Sequence, residues 1–142
     1  MIRDCVEKDL AEIVELEKES FKFPYDLGTF IYFLSSDRTV FLVYELDGSV
    51  EGYIICDIGS GHEGVIVSIA VSPERRRMGL GSALLDAALS RIRGRVPKLV
   101  LQVARSDEGA TKFYRIHGFV IDGILPNYYP DGEDAYLMTR NL

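Results

Sequence analysis

Residues 71–82 read VSPERRRMGLGS, and this stretch decides how the rest of the chain is interpreted. Before it, residues 65–71 form a nearly continuous apolar run, which is typical of a strand buried on both faces. After it, residues 79–93 form the clearest amphipathic helix pattern in the chain. The sequence therefore predicts a buried strand, a loop rich in arginine and glycine, and a long helix.

The first turn of this helix is a candidate anion site. Backbone N–H groups at a helix start lack partners and carry partial positive charge, and Gly79 and Gly81 allow close approach to a phosphate or pyrophosphate. No Gly-Lys pair is present, which excludes a P-loop, and Leu84 occupies the place where the dinucleotide-binding pattern needs Gly or Ala. By itself, the stretch also fits an ordinary glycine-rich helix start preceded by solvated arginines.

Composition limits the function classes. The chain has 142 residues, with 16 Lys+Arg, 22 Asp+Glu and a net charge of −6, which disfavours nucleic-acid binding. Two cysteines and two histidines show no metal-site spacing, so we expect no metal. No apolar run approaches the roughly 18–20 residues of a spanning helix. We therefore expect a cytoplasmic protein that does not bind membranes, acting as a monomer or weak homodimer.

Patterning along the chain predicts strands and helices without a linker between them. The predicted strands cover residues 1–6, 40–46, 50–58, 65–71, 99–103, 119–125 and 135–140. A first helix is predicted to begin at Lys8. Three further helices are predicted over residues 27–34, 79–93 and 108–117. Strands on both sides of crossover helices predict an α+β fold with α/β/α layers, in one domain over residues 1–142.

The same segments resemble a known family. Residues 76–81, RRMGLG, are similar to the Gln/Arg-x-x-Gly-x-Gly/Ala signature of the GNAT superfamily of acyl-CoA-dependent N-acyltransferases. Phe113-Tyr114 followed by Gly118-Phe119 is similar to a second family segment. The resemblance implies a mixed, largely antiparallel sheet of six to seven strands flanked by about four helices.

This resemblance implies an acetyl-CoA site. The pyrophosphate would lie on the amides of the glycine loop, and the pantetheine arm would pair with the main chain of the central strand. Asp107 stands where the family commonly has Asn, which weakens its predicted coenzyme contact. The residues implied to bind the coenzyme are Ile69, Ala70, Val71, Arg76, Arg77, Met78, Gly79, Leu80, Gly81, Ser82, Asp107 and Tyr114.

Within the superfamily, the chain looks most like the RimI-type protein N-terminal (Nα) acetyltransferases. Residues 19–25, 67–71 and 127–135 resemble their inter-helix loop, central strand and C-terminal hairpin. The implied acceptor is the α-amine of a protein or peptide, with a ribosomal protein as one candidate. The residues implied to bind it are Phe23, Pro24, Tyr25, Ser68, Tyr128 and Tyr129.

The catalytic residues implied by the resemblance are Tyr114 and Gln102. A tyrosine hydroxyl, with a pKa of about 10, is protonated at neutral pH and can donate to a leaving thiolate. RimI-type enzymes commonly carry Glu at the position of Gln102, and glutamine can only hold a water. Asp26 and Glu63 are two other carboxylates that are candidates for relaying the proton.

Proton energetics favour an α-amine acceptor. Neutralising an α-amine at pH 7 costs about 1–1.4 kcal/mol, whereas a lysine amine costs roughly 4.6 kcal/mol. An enzyme without a strong base therefore acts more easily on an N-terminus. Acetylation of a small amine or a lysine, and a non-catalytic acyl-CoA-binding module, remain alternatives.

Overall fold

The computed structural model describes residues 1–59 and 61–142, and there it contains four α-helices and seven strands. The helices are α1 (Leu10–Ser20), α2 (Leu27–Ser35), α3 (Leu80–Ile92) and α4 (Glu108–Ile116). The strands are β1 (Ile2–Asp4), β2 (Thr39–Leu46), β3 (Ser49–Asp57), β4 (Gly64–Val71), β5 (Lys98–Ala104), β6 (Val120–Leu125) and β7 (Ala135–Asn141). Short 3-10 turns at Glu7–Asp9 and Pro73–Arg75, which the sequence analysis did not predict, precede α1 and follow β4.

All seven strands form one sheet in the order β1-β2-β3-β4-β5-β7-β6. Every neighbouring pair is antiparallel except β4 and β5. Those two strands pair only at Gly64 with Leu99 and at Val65 with Val100. Beyond Val65 the two strands part, so the middle of the sheet opens toward the carboxyl end of β4.

Helices cover both faces of the sheet. In β2, Val40 and Leu42 belong to one buried apolar cluster, whereas Phe41 and Val43 belong to another, as alternation along a strand requires. The first cluster contains the apolar sides of α3 and α4, and the second contains those of α1 and α2. The predicted α+β fold with α/β/α layers is confirmed.

Local sequence explains why the elements begin and end where they do. Asp47 and Gly48 both have positive φ, 51° and 80°, as the tight turn between β2 and β3 requires. Asp26 caps α2 by accepting a hydrogen bond from Thr29 N at 3.0 Å. Within the described residues, no helix has the length and apolar character needed to cross a membrane.

Candidate functional site

The gap between β4 and β5 contains a cavity of about 880 Å³. Its walls come from β4 and β5, the loop and first turn of α3, α4, the end of α1 and the loop that follows it, and the segment between β6 and β7. This volume lies in the range of small-molecule sites, which is roughly 300–1,000 Å³. The carboxyl ends of the parted strands therefore form the candidate active site.

The helix start at one part of the cavity carries free backbone amides. Gly79 adopts φ 81° at the N-cap of α3, and the cap makes no side-chain hydrogen bond. The amides of the first turn have no carbonyl one turn earlier to bond. The preceding Arg77 also has positive φ, 69°, which turns the chain into the helix. These amides, with Arg75–Arg77 beside them, can hold an anionic group.

The two glycines of this segment, Gly79 and Gly81, lie in different surroundings. A side chain on Gly79 would meet nothing within 4 Å, so the residue is needed for its backbone angle. A Cβ on Gly81 would lie 3.4 Å from the Phe113 ring, at ordinary van der Waals distance, so α4 packs directly against the first turn of α3. The Ser82 hydroxyl is 2.9 Å from His117 Nε2 and is engaged there.

The free edge of β4 forms a long wall of the cavity. Beyond Val65, β4 pairs with β3 on one side only, and β5 has moved away from the other. Ile69, Ala70 and Val71 line the cavity along this edge. Their unpaired main-chain groups can bond an extended polar ligand, although the side chains are apolar.

The largely buried side chain of Tyr114 brings a hydroxyl to the cavity. Its ring packs edge-to-face against Phe113 and Phe119, at centroid distances of 5.3 and 5.7 Å. Burial raises the pKa of Tyr114, so the hydroxyl is protonated at neutral pH. Among the described residues, this hydroxyl makes no hydrogen bond, and it is therefore available to a ligand. Gln102, half-buried on β5, lines the same cavity.

Aromatic residues from two loops enclose another part of the cavity. Phe23 stacks on Tyr129, and Tyr129 packs edge-to-face against Tyr128 at 5.0 Å. Lys22 donates to Asp131 at 2.8 Å between the same loops. Burial raises the pKa of Tyr129 to about 12, so its hydroxyl remains a donor.

Most of the predicted site residues line this one cavity, and two do not. Met78 is 57% exposed, and neither it nor Pro24 is part of the described lining. Asp107 lines the cavity, but its carboxylate caps α4 by accepting from Ala110 N at 3.0 Å. The predicted residues that line the cavity are Phe23, Tyr25, Ser68, Ile69, Ala70, Val71, Arg76, Arg77, Gly79, Leu80, Gly81, Ser82, Gln102, Asp107, Tyr114, Tyr128 and Tyr129.

The two carboxylates considered as proton relays are engaged elsewhere. Asp26 caps α2, and Oε2 of Glu63, just before β4, lies 3.7 Å from Nζ of Lys98 at the start of β5. Neither belongs to the cavity lining. Neither residue is positioned to serve the site.

The buried carboxylate in this cavity is Glu17, which the sequence analysis did not select. Its side chain is 2% exposed and accepts hydrogen bonds from the Tyr53 hydroxyl, from Ser68 Oγ at 2.8 Å and from Tyr25 N at 3.0 Å. A signal was present, because Glu17 falls on the apolar stripe of the predicted first helix. A carboxylate on such a stripe needs buried partners, and here they come from three other segments.

Comparisons with known proteins agree with this geometry. The family described as "Acetyltransferase (GNAT) family" matches residues 10–119 of the chain. An N-alpha-acetyltransferase of Sulfurisphaera tokodaii is 33% identical over 99% of this chain and 92% of its own length. The central strand, glycine loop and long helix all fall inside the matched region.

Two solved structures have the same fold along nearly the whole chain. Ard1 from Thermoplasma volcanium superposes with a TM-score of 0.93 and 35% identity, covering 100% of this chain and 97% of that one. The ribosomal-protein-S18-alanine N-acetyltransferase of Escherichia coli superposes with a TM-score of 0.90 and 30% identity, covering 99% and 92%. The chain therefore belongs to the GNAT family of acyl-CoA-dependent N-acetyltransferases.

Proposed function

We propose that this protein transfers the acetyl group of acetyl-CoA to the N-terminal α-amine of a protein or peptide. The observation that carries the proposal is one cavity lined by the free amides of α3, the hydroxyl of Tyr114 and the tyrosines of two facing loops. Relatives named as N-alpha-acetyltransferase and ribosomal-protein-alanine N-acetyltransferase support the same acceptor.

The proposed coenzyme residues fit the chemistry of acetyl-CoA. Bound there, the coenzyme supplies an acetyl thioester, which an amine can attack directly. Amides from Arg77 to Ser82 would hold the pyrophosphate, with Arg76 adding positive charge. Main-chain groups of Ile69–Val71 would pair with the pantetheine arm, because that edge of β4 has no strand partner among the described residues.

The proposed acceptor residues surround a site suited to a chain terminus. Phe23, Tyr25, Tyr128 and Tyr129 provide flat apolar faces, and the three tyrosines add hydroxyl tips, which suit the backbone and first side chain of a peptide. Pro24 lies between Phe23 and Tyr25 in the same loop, and Ser68 lines the cavity from β4 with its hydroxyl bonded to Glu17. We expect the α-amine to be preferred over lysine because its neutral form is more accessible by about 3 kcal/mol.

Tyr114 is the proposed proton donor. Its hydroxyl stays protonated at neutral pH because burial raises its pKa, and no described residue competes for it. It can therefore donate to the leaving sulfur as the thioester bond breaks. Gln102 is the proposed holder of a water near the reacting amine, since its amide both donates and accepts hydrogen bonds.

We also propose that residues 1–142 act as one domain in the cytoplasm. One sheet carries both apolar clusters, so neither half has a core of its own. Cys5 and Cys56 are free and buried, and free thiols are usual in the reducing cytosol. A ribosomal protein is one acceptor to test.

The experiment is an acetylation assay with acetyl-CoA and three matched peptides of one sequence containing a single internal lysine. The first peptide has a free N-terminus, the second a blocked N-terminus, and the third a free N-terminus with arginine in place of lysine. We expect the first and third peptides to gain one acetyl group and the second to gain none. Acetylation of the blocked peptide at lysine, with an unmodified N-terminus in the others, would overturn the proposal.

A further inference from the structure

Glu17 is a buried carboxylate that the proposed chemistry has not yet used. It lies in α1 and lines the same cavity as Tyr114 and Gln102. Its partners come from β3 (Tyr53), β4 (Ser68) and the loop before α2 (Tyr25). Four segments therefore converge to hold one carboxylate against the cavity.

The hydrogen bonds leave part of the acceptor capacity of Glu17 free. Each carboxylate oxygen can accept about two hydrogen bonds. Oε1 receives the hydroxyls of Tyr53 and Ser68, whereas Oε2 receives only the Tyr25 amide among the described residues. One position on Oε2 therefore remains for a donor from a ligand.

A second unpaired polar group lies one helical turn further along. The hydroxyl of Ser20 is buried and has no hydrogen-bond partner among the described residues, and Ser20 also lines the cavity. Because residues three apart share one face of a helix, Glu17 and Ser20 face the cavity together. They form a polar part of the cavity wall at the end of α1.

We propose that Glu17 binds the α-ammonium group of the acceptor and takes its proton, the role that Gln102 cannot perform. This inference rests on the proposed function and adds the proton acceptor to it. Glutamine at position 102 has no basic form near neutral pH, while Glu17 lines the same cavity and retains an unfilled acceptor position. Ser68, bonded to Glu17 and also lining the cavity, is the group through which a proton can pass.

The protons and electrons balance with these residues. The acceptor's –NH₃⁺ gives one proton to Glu17, and the freed nitrogen lone pair forms the N–C bond to the acyl carbon. The C–S bond breaks, its electron pair stays on sulfur, and sulfur takes the Tyr114 proton. A second proton from nitrogen restores Tyr114, and Glu17 releases its proton to solvent. The products are one amide, one thiol and one proton.

The groups around Glu17 are consistent with this role. Facing titratable groups are Tyr53 from β3 and Tyr25 from the loop, and the pKa of each is raised, chiefly by burial and further by the charge of Glu17. The cation of that loop, Lys22, is paired with Asp131. The α-ammonium of an acceptor would supply a positive partner for Glu17, which no side chain in residues 1–59 and 61–142 provides by contact.

The test uses Glu17→Gln, which preserves shape and removes the carboxylate. The matched control is Glu15→Gln, because Glu15 lies exposed on the same helix and its carboxylate is 3.6 Å from Lys18 Nζ, outside the cavity lining that the structure describes. The reciprocal variant is Gln102→Glu, which supplies a carboxylate at the position where RimI-type relatives commonly have one. Thermal unfolding and CoA titration of each variant establish that the fold and coenzyme site are intact.

The first readout is kcat/KM for a free N-terminal peptide against pH. At pH 7 we expect Glu17→Gln to lower it by about 10², the scale of general base catalysis. The defect should shrink to below about tenfold by pH 9, because an α-amine with a pKa of about 7.7–8.0 then loses its proton unaided. Adding Gln102→Glu to Glu17→Gln should raise kcat/KM at pH 7 by at least about tenfold over that of Glu17→Gln alone. A defect equal at all pH values, or no defect, would overturn the inference.

The second readout is peptide binding with CoA present, where no acetyl group is available for turnover. Glu17→Gln should weaken binding of the peptide with a free N-terminus by about tenfold, because a charged hydrogen bond is lost. Binding of the Nα-acetylated peptide should be unchanged. Equal weakening of both peptides would mean that Glu17 only supports the walls, and would overturn the inference.

Ser68→Ala tests the same site even when Glu17→Gln does not fold, because it keeps the carboxylate and removes the hydroxyl that bonds Glu17. We expect it to lower kcat/KM by about tenfold at pH 7 and by less than about twofold at pH 9, and a defect equal at both pH values, or no defect, would overturn the inference. The proposed function fails separately, if wild-type protein binds CoA but acetylates no free N-terminus.

Discussion

Phe23 and Tyr129 stack with their ring centroids 6.3 Å apart and their planes 14° from parallel. They belong to two loops, one between α1 and α2 and the other between β6 and β7, that are far apart in the sequence. Their contact, together with the Lys22–Asp131 pair, joins the two loops beside the cavity. In the proposed arrangement, the acceptor end of the site is therefore built by tertiary contact, and most of the coenzyme end by a single strand–loop–helix segment.

Removing one of the stacked rings tests this division. We expect Tyr129→Ala to raise the KM for a peptide by about tenfold or more, because the ring that packs on Phe23 and Tyr128 is lost. Affinity for CoA should stay within twofold, since the residue is outside the glycine loop. Tyr32→Ala is the control, because Tyr32 is 67% exposed on α2. Calorimetry with CoA and steady-state kinetics with peptide make the comparison, and equal loss of both affinities would contradict it.

The buried tyrosine has its own variant. Tyr114→Phe removes one hydroxyl and keeps the packing against Phe113 and Phe119. We expect kcat to fall by at least about 10², the scale of general acid catalysis, with CoA affinity nearly unchanged. Single-turnover acetylation followed by mass spectrometry checks the rate, and wild-type turnover in the variant would remove the donor role from Tyr114.

Two glycines with the same backbone angle separate strain from function. Gly79→Ala and Gly48→Ala both place a side chain at φ near 80°, where neither meets another atom within 4 Å. Both should lose about 1 kcal/mol of stability by denaturant unfolding. Only Gly79→Ala should also lower the affinity for CoA, by about tenfold, because it moves the amides at the start of α3. Equal CoA affinity in the two variants would refute the assignment of the anion site to this loop.

The ion pair of Arg3 and Asp9, away from the cavity, allows a prediction of how the free energy of unfolding depends on pH. Arg3 donates to both carboxylate oxygens of Asp9, at 2.8 and 2.9 Å, and these hydrogen bonds lower the pKa of Asp9. Because the ionised carboxylate of Asp9 is favoured in the folded protein, it adds to the free energy of unfolding at pH values above the unfolded-state pKa of about 3.9. This contribution is lost as pH falls through the folded-state pKa of Asp9.

Asp9→Asn is the matching variant. It should lower the free energy of unfolding by roughly 2–4 kcal/mol at pH 7, because it leaves the partly buried Arg3 with one carboxylate, that of Glu45. The difference from wild type should be smaller at pH 2 than at pH 7. Urea unfolding at both pH values measures it, and a difference that grows toward low pH would have the wrong sign.

Local patterns made most of the fold predictable. The Asp47-Gly48 turn, the apolar run of β4 and the capped helices each depend on neighbours in sequence, so their positions follow from residue type and spacing. The glycine loop is local in the same way. The two 3-10 turns escaped prediction because three-residue turns have almost no pattern of their own.

The parts of the site that depend on distant contacts were harder to predict. Glu17 is anchored by Tyr53 and Ser68, which are 36 and 51 residues away, so its burial cannot be read from neighbouring residues. Met78 lies inside the glycine loop by sequence but points to solvent, because the positive φ of Arg77 turns the backbone there. Pro24 was selected by resemblance, and its neighbours Phe23 and Tyr25 line the cavity instead.

The most direct measurement is the affinity of a conjugate that joins CoA, through an acetyl linker, to the α-nitrogen of a peptide. A cavity that holds both substrates should bind this conjugate at least about 10² more tightly than CoA alone, because the second segment binds without a further loss of translational freedom. A conjugate joined through a lysine side chain should gain far less. If the α-linked conjugate binds no better than CoA, or the lysine-linked one binds more tightly, the N-terminal acetyltransferase account is contradicted.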